Sequence, residues 1–184
     1  MSIKGLEQAI ANLNSISKKA VPRASAQTVN RIATQAVNRS VSAVAKSTRV
    51  PRKLVRQRAR VRRATVAKPR ALIRINRGNL PAIKLGPSSM RLSRRKRDKS
   101  GTNSELRVGR FRFPGAFIKQ LANGRWHVLR RTTKSRYPIE VVSIPLAIPL
   151  TETFRAEVPK LMDERMPQIM RQNLTNQLRL IFKS

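Results

Sequence analysis

The chain has 184 residues, of which 40% are hydrophobic, so it can bury a core and is not disordered by composition. It carries 41 Lys and Arg against 8 Asp and Glu, a formal net charge of +33, and no acidic residue stands between Glu7 and Asp98. Charge this one-sided repels itself in a compact state and points to a polyanionic partner, nucleic acid being the commonest. The absence of cysteine excludes disulfides and thiolate chemistry. No apolar run approaches a membrane span, and the first residues lack the basic and apolar regions of a secretory signal. The expectation is a soluble protein made in a cytoplasm.

Ile3, Leu6, Ile10 and Leu13 recur at spacings of three and four, which predicts a helix over 3–17 with one apolar stripe. Pro22 opens a second predicted helix, running to about Lys46. Its expected buried stripe is Val29, Ile32, Ala33, Ala36, Val37, Val41 and Val44. Most of these are small, so another backbone can approach closely. Pro51 starts a short turn, followed by a dense basic tract that includes Arg56, Arg58, Arg60, Arg62 and Arg63. Between 57 and 66 the pattern alternates, which places Arg58, Arg60 and Arg62 on one face of a predicted strand. Guanidiniums spaced about 6.6 Å apart make a phosphate-tracking ladder. The other reading is a solvated strand edge that its charge protects from aggregation.

Residues 70–77 predict a strand with Ala71, Ile73 and Ile75 inward, and residues 80–85 a short one. Residues 88–105 form a long polar loop by composition, with a second basic cluster at Arg94, Arg95, Lys96 and Arg97. This loop is expected to be a hairpin extension that orders on assembly. Residues 111–131 predict strand, turn and strand, with Asn123-Gly124 as a type I′ turn and Pro114-Gly115 as a bend. This segment holds the only Trp and the only His, and Trp126 is expected to belong to the framework of the sheet. Arg130 and Arg131, at its far end, are candidate interface residues. A last strand is expected over 137–144. Thr151 is the expected N-cap of a C-terminal helix that Pro167 breaks or kinks.

The order of elements predicts an α+β fold, with a mainly antiparallel sheet and N-terminal and C-terminal helices packed against it. One unit over 1–184 is expected: helices over 1–50, sheet with the basic loop over 51–145, helices over 146–184. Chemistry is poorly provided for. One His, His127, and no Cys leave no metal cluster of usual spacing, and no phosphate-binding glycine loop is present. His127 reads as a satisfied structural histidine. No catalytic residue, cofactor, metal or small-molecule substrate is expected. Basic residues spread over strands and loops suit backbone contact to double-stranded DNA better than base readout.

Several segments together resemble one family. The opening MSIKGLEQAIANLNSISKKAVP, then NRGNLPAIKLG, PGAFIKQLANGRWHVLRR and RYPIEVVSIPLAIPLT are similar, in this order, to the minor tail protein Z (tail completion) family of lambda-like phages. The segment from 88 to 110 is least alike. The resemblance implies a non-enzymatic virion protein at the head-proximal end of a tail, completing it for head–tail joining. It implies other tail and neck proteins as partners, a homo-oligomeric ring, DNA in the lumen, and residence in the host cytoplasm during assembly. Two other readings stand beside it: a nucleic-acid binder of ribosomal or nucleoid type, and a purely protein–protein neck adaptor.

Overall fold

The computed structural model describes residues 3–91, 104–133 and 137–182. Its elements follow the expected α+β order, with helices at both ends and antiparallel strands between them. Helix α1 (Ile3–Ser15) runs into α2 (Val21–Thr48) through one π-helical turn, Ile16–Ala20, rather than stopping before it. In that turn the Val21 N–H donates to the Ile16 carbonyl. The wider turn takes up the register just before Pro22, which cannot donate to a preceding carbonyl. The expected break is thus an irregular turn inside a continuous helical run. The stripe of α1 is not covered by the rest of the chain: Leu6 and Leu13 are each 65% exposed.

The stripe of α2 is buried as its periodicity requires, apart from Val29, which is only half-buried. Ala24, Ala36, Val37 and Val41 are sealed completely. Helix α2 packs along α4 (Ala147–Phe182), which is one helix of 36 residues. Leu150, Phe154, Leu161 and Ile169 supply its side of the contact. Small side chains on α2 let the two backbones come close. The buried Thr28 hydroxyl is satisfied there, donating to the Ala24 carbonyl at 2.8 Å and accepting from Asn173 Nδ2 at 2.9 Å.

Two expectations for α4 are corrected. The helix begins at Ala147, and Thr151 lies inside it, its hydroxyl donating back to the Ala147 carbonyl at 2.7 Å. Pro159 and Pro167 sit within the helix without ending it. Both are exposed, so the carbonyls that lose an N–H partner, four residues earlier, are on a side where water can replace it.

Among the described residues the strands form four small antiparallel sheets instead of one. A five-residue helix, α3 (Arg52–Arg56), leads into β1 (Ala59–Arg62), which pairs with β2 (Leu72–Ile75). The expected strand over 80–85 is only β3 (Leu80–Pro81), continued by a 3-10 turn over Ala82–Leu85, because Pro81 cannot extend the ladder. Next come β4 (Ser88–Arg91), β5 (Glu105–Val108) and β6 (Phe111–Pro114), which form a meander. The expected hairpin extension therefore has paired strands at its base. Its tip, with the 94–97 cluster, lies outside the described residues.

The 111–131 segment is divided between two sheets. β6 pairs with β5, whereas β7 (Ala116–Gln120) pairs with β8 (Trp126–Arg131). Gly115, at φ 68°, makes the change of sheet possible. The loop at its tip is also not a two-residue type I′ turn. Gly124 alone has positive φ, at 71°, its N–H donates to the Leu121 carbonyl, and the Leu121 N–H donates to the Arg125 carbonyl. That is a type I turn closed by a glycine bulge. β9 (Ile139–Val141) completes the sheet on β8, and β10 (Ser143–Ile144) pairs with β3. Leu106, Val108, Ala116 and Val128 carry these sheets onto the helical core. Trp126 does not, being 56% exposed.

Replacing Ala36 by Leu should lower stability by about 1–3 kcal/mol through overpacking of the α2–α4 seam, read as a lower midpoint in urea. Trp126→Ala should leave that midpoint nearly unchanged, as for other surface positions.

Candidate nucleic-acid interface

A side chain of α2 bonds the chain just past the end of β1. Asn30 Nδ2 donates to the Ala64 carbonyl at 2.9 Å, and its Oδ1 accepts from the Ala64 N–H at 2.7 Å. Burial of alternate residues sets which way β1 faces. Ala59 and Val61 point toward the core, opposite Ile75 and Ile73 of β2. Arg60 and Arg62 point outward, and both are exposed. The register then sets Arg60 directly across from Arg74, and Arg62 across from Leu72. Directly opposed residues in an antiparallel pair lie about 4.5–5.5 Å apart at Cα, where like charges destabilise the pair. Neither strand carries an acidic residue to relieve them. The two ion pairs among the described residues, Arg112–Glu105 at 3.9 Å and Arg130–Glu140 at 2.8 Å, lie on other strands.

The rest of the expected ladder is used differently. Arg56 ends α3, and its Nη1 donates to the Ala59 carbonyl at 2.6 Å. Arg58 precedes the strand and reaches across to the turn before β3, donating to the carbonyls of Gly78 at 2.8 Å and Asn79 at 3.0 Å. Both arginines tie the backbone together, and a phosphate would have to compete with those bonds. Arg63 is exposed just past the end of β1. Arg94, Arg95, Lys96 and Arg97 fall outside the described residues. Arg130 is bonded to Glu140, its partner across β9, and the Arg131 guanidinium lies over the Phe117 ring, 5.4 Å from its centre. These two candidate interface residues are thus already engaged within the chain.

Arg74 was not among the expected contacts. Alternation in 70–77 already puts it on the face opposite Ile73 and Ile75. Only the strand pairing brings it to Arg60, and that pairing is not written in either segment alone.

His127 does not fit the expectation of a satisfied histidine. Both ring nitrogens are sealed from solvent and have no hydrogen-bond partner among the described residues. No carboxylate orients the ring, which a general base needs. Among the described residues no group of three or more His, Asp or Glu comes together to hold a metal, and no helix is long and apolar enough to cross a membrane.

The described residues thus make a strongly basic α+β chain with an exposed arginine face. Comparison with known proteins gives the family. Residues 3–184 match the family described as Prophage minor tail protein Z (GPZ), and the chain belongs to it. It is 76% identical to the tail completion protein of Escherichia phage N15 over 181 residues, 98% of each chain. It is 52% identical to the tail completion protein Z of Escherichia phage lambda over the full length of both. No solved structure matches it.

Removing the Arg58 side chain should cost about 1 kcal/mol, because two turn carbonyls lose a charged donor. Arg62→Ala should leave the urea midpoint where it is. Equal effects of the two substitutions would contradict the division between backbone-tying and outward-facing arginines.

Proposed function

We propose that this protein is a non-enzymatic virion component that completes the tail at its head-proximal end and prepares it for joining to the head. Membership of the minor tail protein family across nearly the whole chain supports the tail role. The names of both full-length relatives, tail completion protein, support the finer placement. The chain acts as one unit, assembled with other tail and neck proteins in the host cytoplasm as a homo-oligomeric ring.

The same proposal includes contact with genomic double-stranded DNA through its backbone. The observation that carries this part is the opposed Arg60–Arg74 pair, extended by Arg62 and Arg63. Two guanidiniums placed across from one another on a solvent-facing pair of strands weaken that pair unless an anion sits between them. A phosphate backbone supplies anions at regular spacing and demands no base recognition. The reach of such a face is short, since charges screen over about 8 Å at physiological salt. The DNA therefore has to run directly past it, as it does in the lumen of a ring.

A phage lacking this chain should accumulate separate heads and tails in electron micrographs, with joining restored by the intact gene. Normal virions from the deletion would overturn the tail-completion reading. Replacing Arg60, Arg62 and Arg74 together by Ser should flatten the dependence of log K on log salt for a DNA duplex by about 2–3, at roughly 0.9 per lost phosphate contact. The folded state should not be weakened, because the repelling pair is gone. An unchanged slope would remove this face from the DNA contact and favour an adaptor role through protein alone.

A further inference from the structure

A second basic site lies away from the β1–β2 face, at the C-terminal end of α2. Lys46, Arg49, Arg52 and Arg110 surround a cleft of about 610 Å3, within the size range of ligand pockets. All four side chains are exposed. Its accessible apolar lining is the half-buried Ala45 and Phe111 and the exposed Pro51, backed by the buried Val50 and Leu85.

The site is built by the backbone. Arg49 closes α2 in the left-handed conformation, at φ 58°, and so turns the chain from the helix to Val50 and Pro51. Arg52 is anchored back to α2 by a hydrogen bond from its Nε to Ser42 Oγ at 3.0 Å. On the far wall, Gly109 has φ 57° and packs against the Leu85 carbonyl so closely that a Cβ there would come within 2.7 Å of its oxygen. Its N–H donates to the Pro87 carbonyl at 2.9 Å. This contact places Arg110 and Phe111 at the edge of the cleft.

Cations at a helix C-terminus complement its dipole, and part of this charge answers α2 itself. That end carries only about half a negative charge, whereas four cations are present. The surplus calls for an external anion. The apolar lining decides which kind. A duplex backbone, charged along its length, would leave the apolar surface of Ala45, Pro51 and Phe111 without a partner. A carboxylate-bearing peptide with one or two apolar side chains would satisfy both the cations and the lining.

We propose that this cleft binds an acidic, apolar-anchored peptide segment of a partner protein. The anchor seats on Ala45, Pro51 and Phe111, and flanking Asp or Glu side chains meet Lys46, Arg49, Arg52 and Arg110. The proposal does not depend on the DNA contact.

The probe is a fluorescein-labelled hexapeptide of sequence Asp-Glu-Leu-Phe-Glu-Asp, titrated with the full chain and read by anisotropy. Lys46→Glu together with Arg110→Glu should weaken binding on the order of tenfold or more. Exchanging the Leu-Phe of the peptide for Ser-Ser should do the same. The Arg60, Arg62 and Arg74 serine variant should bind it within about twofold of wild type, which separates this site from the DNA face. Undiminished binding by the charge-reversed variant, or equal binding of the Ser-Ser peptide, would overturn the proposal. So would a duplex that displaces the peptide and loses more affinity from the cleft variant than from the strand variant. Amide shifts at Val50, Gly109 and Phe111 of the wild-type protein on adding peptide keep the test decisive if a variant fails to fold. Their absence would count against the site.

Discussion

Close contact between α2 and α4 is the constraint on which the other elements depend. It works because Ala36, Val37 and Val41 on α2 are small enough for the larger Leu150, Phe154, Leu161 and Ile169 of α4 to fill the core they share. Interiors packed to this density lose contacts quickly when one side chain changes size. Helix α2 also bonds the chain just past the end of β1, through the Asn30 amide and Ala64. Burial of Ala59 and Val61 on the same core sets the outward direction of Arg60 and Arg62.

A chain of +33 folds around this seam by sorting its arginines into two kinds. Arg56 and Arg58 donate to backbone carbonyls, and Arg130 to Glu140, so their charge is set against nearby dipoles or a carboxylate. Arg60, Arg62 and Arg74 face water, where solvent and salt moderate their repulsion. The second kind concentrates charge without relieving it, and it is there that binding an anion yields most. Lys46, Arg49 and Arg110, at the cleft by the end of α2, are exposed and belong with this second kind.

Much of the fold was legible in the chain. The apolar periodicity of 29–44 marked the buried face of α2 apart from Val29, and the alternation of 58–62 and 70–77 marked inward and outward sides of β1 and β2. Gly124 was correctly placed in a turn. These features are local, because a helix or strand repeats its direction every few residues and the side-chain pattern records it. Membership of the minor tail protein family was legible too, since the resembling segments are spread along nearly the whole chain.

The sequence by itself thus determined the elements, the sides they bury and the surplus of positive charge. Tertiary structure decided how these were joined. Prolines that signal a break were absorbed, Pro22 by a π-helical turn and Pro159 and Pro167 by exposure to water on α4. The segment at 111–131 was divided between two sheets at Gly115, since β6 found its partner in β5 and not in β7. Arg74 met Arg60, and Arg110 met the end of α2, through pairings between residues far apart in the chain. Such meetings depend on register and on packing across the core, and no local window of residues contains either.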